Sequence, residues 1–169
     1  MVQHCPACSD PICSPSGRST ELLIVGDFPS RDDMLQGKLF SSNPNFISAG
    51  KILRKELERC GMSIADFRLC SLWMHEPNKN EQCFQAGFNN VLDEAKGKKA
   101  ILLVGSDVVE TFTGYKVSDV SGLQVDSTVL SAPFIYASVS PALAQHRSFG
   151  EVRFAIEKFV GRLEKEGLI

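Results

Sequence analysis

Four short apolar runs, "ELLIVG", "FRLCSLWM", "AILLVG" and "PFIYASV", recur along the chain with helix-length stretches between them. That alternation constrains the fold more than any single residue. A run such as "LLIV", ended by Gly and Pro, is what a strand buried on both faces looks like. "SAGKILRKELERCG" places Ile52, Leu53, Leu57 and Cys60 on one face and stops at Gly61, as a helix does. "NEQCFQAGFNNVLDEAKGKK" and "SDVVETFTG" read as further helices, the second capped by Ser106. "SFGEVRFAIEKFVGRLEKEG" closes the chain as an amphipathic helix with Phe149, Val152, Ile156, Phe159 and Leu163 inward. Residues 30 to 46 read as a long loop, and Tyr115 to Ser131 carry no clear pattern. Strands alternating with helices predict a parallel four-stranded sheet between helix layers, a three-layer α/β/α sandwich forming one domain over residues 1–169.

In such sheets ligands bind beyond the carboxyl ends of the strands. That rule selects four places: Gly26 to Ser30, Ser71 to His75, Gly105 to Asp107 and Ser138 to Pro141. The first, "GDFPS", sets an acid, Asp27, just where a buried strand gives out. An Asp there either caps a helix or turn, or faces whatever docks at the strand end.

Hydrophobic residues at 43% and charged residues at 22% exclude disordered and collagen-like classes. A net charge of -2 supplies no global positive field, so any contact with nucleic acid must be local. The start "MVQHCPACSD" lacks the layout of a signal peptide, and the apolar runs are too short to cross a bilayer. The expectation is a cytoplasmic protein and a monomer.

Six cysteines in a reducing compartment point to metal binding or burial rather than to disulfides. Cys5 and Cys8 form a C-x-x-C with Cys13 close behind, and the want of a second C-x-x-C disfavours a closed tetrahedral zinc site. Residues 1–20 are thus either a loose tail or a segment pinned by a metal. Cys60 and Cys70 fall on apolar faces, as core thiols do.

Taken in order, these segments resemble the uracil-DNA glycosylase superfamily, and within it the iron-sulfur branch called family four. The branch carries "GEAPG", an acid pair, "G-x-PF" and then "AG-x-LL"; here the chain reads "GDFPSRDDMLQGKLF" followed by "SAGKIL". The likeness continues through the Pro- and Asn-containing loop "WMHEPNKN", a Cys on the next helix (Cys83), the strand "AILLVG", and "SVSPALAQH" in the place of "T-x-HPSYLLR". It runs from Cys5 to the final helix. The joint order of five motifs, not any one of them, carries it.

The resemblance implies roles. Asp27, an Asp for the family's Glu, would position or polarise the attacking water, with Gly26 and Phe28 beside it in the substrate-binding turn. Phe40 matches the aromatic on which a flipped base stacks, although most Phe residues simply pack in a core. Cys5, Cys8, His75 and Cys83 would hold a 4Fe-4S cluster, with Cys13 an alternative ligand; the other reading is a free surface C-x-x-C with His75 merely in a loop. His146 falls near the family's minor-groove contacts, and Lys38, Lys79 and Arg147 could add phosphate contacts, though such residues are usually just solvated.

Two departures mark the chain as divergent. Ser140 stands where the family's His stabilises the departing base, and a hydroxyl lacks the donor strength and charge of an imidazole. Ser71 stands approximately where the family's Asn reads a pyrimidine edge. The expected function is a divergent DNA glycosylase-like enzyme acting on a flipped pyrimidine in DNA. The alternatives are a transferase that modifies such a base without breaking the glycosidic bond, and a catalytically inactive DNA-binding module.

Overall fold

The structure is a computed structural model that describes residues 2–45, 47–142 and 149–169. The apolar runs become the strands β1 (Leu22–Gly26), β2 (Arg68–Ser71), β3 (Ala100–Val104) and β4 (Phe134–Ser138). They form one sheet in the order β2-β1-β3-β4 with every neighbouring pair parallel. Gly26, Ser71, Val104 and Ser138 lie level with one another in the register. The carboxyl ends of all four strands therefore finish along one edge.

Among the described residues six α-helices connect and cover the strands: α1 (Arg31–Gln36), α2 (Ala49–Arg59), α3 (Glu81–Ala95), α4 (Ser106–Thr113), α5 (Val117–Val120) and α6 (Phe149–Lys165). Side chains alternate across a strand, and here both faces are apolar. Leu22, Ile24 and Leu102 pack with Leu53 and Leu57 of α2 and with Ile156 and Phe159 of α6. Leu23, Val25, Ile101 and Leu103 pack on the other face with Val91 of α3 and with Val108 and Phe112 of α4. Each such Leu, Ile or Val contributes about 1.5–3 kcal/mol by leaving water, so the expected three-layer sandwich is held from both sides.

One charged group sits inside this packing. Glu56 of α2 is buried and receives Arg59 at 3.0 Å and Arg153 of α6 at 3.1 Å. Burial alone would raise its pKa, but the two guanidinium groups hold the carboxyl below its ordinary range. The three charges clamp α2 to α6.

The N-terminal segment is tied down rather than loose. Ser16 exchanges backbone hydrogen bonds with Leu69 at 3.0 and 2.7 Å, which covers the outer edge of β2, and the Cys13 N–H donates to the Met74 carbonyl at 2.8 Å. Covering an edge strand in this way removes a row of unpaired backbone groups.

Three sequence expectations are corrected. Residues 30 to 46 contain helix α1, whose Ser30 and Asp33 form a reciprocal capping box; the helix is too short for its period to stand out. Ser106 is the first residue of α4 and not its cap, which is Gly105, a residue with no side chain to offer. Phe149 is 48% exposed, because α6 begins beyond the core that its Val152 enters. The stretch after Tyr115 holds α5. Among the described residues no helix is long and apolar enough to cross a membrane.

Candidate active site and metal centre

β1 is followed by β2 on one side and, after α3, the chain crosses to β3 on its other side. The crevice where the order reverses lies outside Gly26 and Val104, the place where open parallel sheets take their ligands. A cavity of about 120 Å³ opens there. It is lined from three directions: Gly26, Asp27 and Phe28 at the end of β1, Phe40 before α2 and Gly50 in its first turn, and Ser140 after β4.

Asp27 caps a helix and also lines the cavity. Its Oδ1 accepts the Val108 backbone N–H at 2.8 Å, so it caps α4 from a different strand, 81 residues away. Gly105 makes this possible. It has φ +128°, and a Cβ there would strike the Asp27 carboxyl. Burial pushes the Asp27 pKa up from its ordinary 3.8 to about 6; the Val108 N–H pulls against the rise and the like charge of Asp107 adds to it. The group is thus an ionised carboxylate at neutral pH that holds its proton readily just below it. Such a carboxylate can orient a water, accept its proton, or stabilise positive charge developing on a sugar.

Phe40 lies across the opposite side of the cavity. Its ring packs so closely on Gly26 that a Cβ at that glycine would lie 2.8 Å from the ring tip. Its backbone is held at φ +50°, a left-handed conformation that a bulky residue adopts only when its surroundings impose it. Those surroundings are the buried Asp33 carboxylate, which accepts from the N–H groups of Ser30, Phe40 and Ser41 and from the Ser41 hydroxyl, and the Arg54 Nε, which donates to the Phe40 carbonyl at 2.7 Å. Asp33 and Arg54 escaped the sequence reading as members of the site. The S-x-x-D of "SRDD" was the available signal, since it marks a helix start and so places the acid.

Ser140 reaches the cavity, with its hydroxyl accepting the Ala142 N–H at 3.2 Å. Ser71 does not. It is buried at the end of β2, on the far side of β1 from β3, and its hydroxyl donates to the Trp73 carbonyl at 2.6 Å. Among the described residues no Asn or Gln side chain lines the cavity. Phe28 stands at its rim, 47% exposed. His146 and Arg147 lie outside the described residues, while Lys38 and Lys79 are exposed.

Beyond the carboxyl end of β2, Cys5 and Cys8 of the N-terminal segment meet His75 of the loop before α3 and Cys83 of α3, with all four donor atoms within 4.8 Å of one another. The Cys5 and Cys83 sulfurs are 3.9 Å apart, and the Cys8 sulfur is 3.5 Å from His75 Nε2. His75 Nδ1 lies 2.8 Å from the Glu76 carbonyl. A proton on Nδ1 donated to that carbonyl leaves the Nε2 lone pair facing the sulfurs. Burial resists ionisation of Cys5, but the N–H groups of Ala7 and Cys8 outweigh it and bring the thiol down to about 7. The quartet can hold a metal. Cys13, named above as an alternative ligand, is not in this group: its buried sulfur lies 3.9 Å from the Asp33 carbonyl, and burial and then the Asp33 charge push its pKa up to about 11.

Size does not single out the strand-end cavity. A larger groove, about 590 Å³, runs beside the quartet between Pro6, Met74 and the amides of α3, but it brings no titratable group together with strand ends. Position and chemistry distinguish the smaller one.

No curated protein matches the chain. The profile of the Uracil DNA glycosylase superfamily matches it over residues 15–162, which takes in all four strands and all but the last residues of α6. With a strand-end cavity holding an acid and an aromatic on a parallel four-stranded sheet, the chain belongs to the uracil DNA glycosylase superfamily.

Proposed function

We propose that the protein is a divergent DNA glycosylase-like hydrolase that takes one flipped pyrimidine into the strand-end cavity. Membership of the superfamily supports a glycosylase-like activity. The observation that carries the finer reading is that Asp27, Phe40 and Ser140, from three separate parts of the chain, line one cavity of about 120 Å³. Phe40 stacks on the extruded base, an interaction worth about 1–3 kcal/mol that offsets part of the cost of unstacking. As the glycosidic bond breaks, its electron pair leaves with the base and the sugar becomes oxocarbenium-like. The Asp27 carboxylate stabilises that charge and takes the proton of the water that adds to the sugar carbon. The Ser140 hydroxyl donates to the departing base, less strongly than an imidazole would. Cys5, Cys8, His75 and Cys83 contribute a metal pin for the N-terminal segment, for which the family resemblance implies a 4Fe-4S cluster; the reaction above does not run through it.

Duplexes carrying uracil or 5-substituted pyrimidines, assayed for alkali-labile abasic sites, test this. The reading expects cleavage of at least one such duplex and its loss in Asp27→Asn. Failure on the whole panel sinks it.

A second reading is favoured by two observations. Ser140 replaces the imidazole that would stabilise a leaving base, and no amide side chain lines the cavity among the described residues. Both suit an enzyme that modifies the flipped base and leaves the glycosidic bond intact. A mass increase of the intact nucleoside in the presence of a co-substrate would select it over hydrolysis.

A further inference from the structure

We propose that Cys5, Cys8, His75 and Cys83 bind a single tetrahedral divalent cation, zinc, rather than a 4Fe-4S cluster. Zinc bonds thiolate sulfur at about 2.3 Å and imidazole nitrogen at about 2.0–2.1 Å. The edge of a tetrahedron is about 1.63 times its centre-to-corner distance, which places two sulfurs about 3.8 Å apart and a sulfur and a nitrogen about 3.6 Å apart. The structure has 3.9 Å between the Cys5 and Cys83 sulfurs and 3.5 Å between the Cys8 sulfur and His75 Nε2. No pair in the quartet exceeds 4.8 Å.

A four-iron cluster asks for something else. Each ligand binds its own iron and points outward from a corner of the cube, so the ligand atoms are separated by the iron–iron spacing and by the outward reach of both bonds. They always stand farther apart than ligands that share one ion. Bringing Cys5 and Cys83 to 3.9 Å would crowd two thiolates onto one iron.

The surroundings agree with the single ion. Three thiolates and one imidazole are a structural zinc set. The Glu76 carbonyl beside Nδ1 is the outer partner that orients a metal-bound histidine, and the Asn78 side-chain amide lies 3.7 Å from the Cys83 sulfur, where it can donate to a thiolate. Cys5 and Cys83 are each 2% exposed and His75 6%. The site closes over its ion with four protein ligands, which fits a structural role. On binding, the three thiols give up their protons to solvent and the loaded site carries a charge of about −1. The want of a second C-x-x-C does not count against zinc, because the second pair is His75, after β2, and Cys83, on α3. The fold supplies it where spacing along the chain does not.

The test uses the full chain, expressed with both iron and zinc supplied and purified without oxygen. Metal and acid-labile sulfide are measured, and the visible spectrum is recorded. The proposal expects about one zinc per chain, background iron and sulfide, and no colour. Loaded with cobalt(II) in place of zinc, the protein should show the intense visible bands of a tetrahedral thiolate site. Cys83→Ser should lose most of the bound ion. His75→Cys should keep one ion and shift the cobalt bands, and Cys13→Ser should change neither. Several irons with matching sulfide and a broad visible absorption would overturn the proposal. So would a chain that holds no stoichiometric metal both as isolated and after titration with zinc.

Discussion

The buried carboxylate of Asp33 accepts the backbone N–H of Phe40 at 3.2 Å and so holds a phenylalanine at φ +50°. A side chain of that bulk costs about 1–3 kcal/mol in such a conformation, and the four hydrogen bonds converging on Asp33 are what offset it. Asp33→Ala would strand the N–H groups of Phe40 and Ser41, each unpaired buried donor costing about 1–3 kcal/mol. Urea denaturation should show a loss of at least 2 kcal/mol. An unchanged midpoint would mean that the Phe40 loop supports itself.

Asp27 makes stability depend on pH with a sign opposite to that of a salt-bridged acid. Its folded pKa, about 6, exceeds its ordinary 3.8, so between these values the folded chain binds the extra proton. Stability therefore falls as pH rises from about 4 to about 6, by up to roughly 3 kcal/mol at 1.36 kcal/mol per tenfold change. Asp27→Asn keeps an oxygen for the Val108 N–H and removes the titration. Thermal melts across this range should show the slope in the parent and its disappearance in the variant.

The same group sets the expected rate profile. As base and charge stabiliser Asp27 must be ionised, so turnover on an accepted duplex should climb through about pH 6 and level above it. Asp27→Asn should lower the plateau by about 10²-fold or more. A variant rate within a few-fold of the parent would remove Asp27 from the reaction.

Phe40→Ala should weaken binding of a duplex with a flippable base by about 5- to 150-fold, the equivalent of one stacked base. Binding of an undamaged duplex should barely change. Equal losses on both would assign Phe40 to packing against Gly26 alone.

Gly105→Ala would force a Cβ into the Asp27 carboxyl at a backbone angle that L side chains rarely adopt. Both the α4 cap and the cavity floor would shift. The variant should lose stability and the pH slope together, while Gly114→Ala, where the added carbon meets open space, should lose stability with the slope intact.

The strands and the layers were legible because "LLIV" and "AILLV" are apolar throughout, and only burial on two faces explains such runs in a short strand. The quartet of Cys5, Cys8, His75 and Cys83 was legible only through the likeness to a family, since no local spacing joins residue 8 to residue 75. Ser71 does not reach the cavity because strand order decides which strand ends flank the crevice, and β2 ends on the far side of β1 from β3. The cap on α4 was invisible for a related reason: its donor and acceptor are 81 residues apart, so the helix start at Ser106 was credited to the nearest hydroxyl. Asp33 was passed over as part of a loop, and its grip on Phe40 depends on a turn of the chain that no pattern of six residues records.

Because Asp27 anchors a helix as well as facing the crevice, a relative that had abandoned its chemistry would still have reason to keep an acid there. Retention of that residue across a lineage would then be no evidence of activity, since the helix cap alone would preserve it.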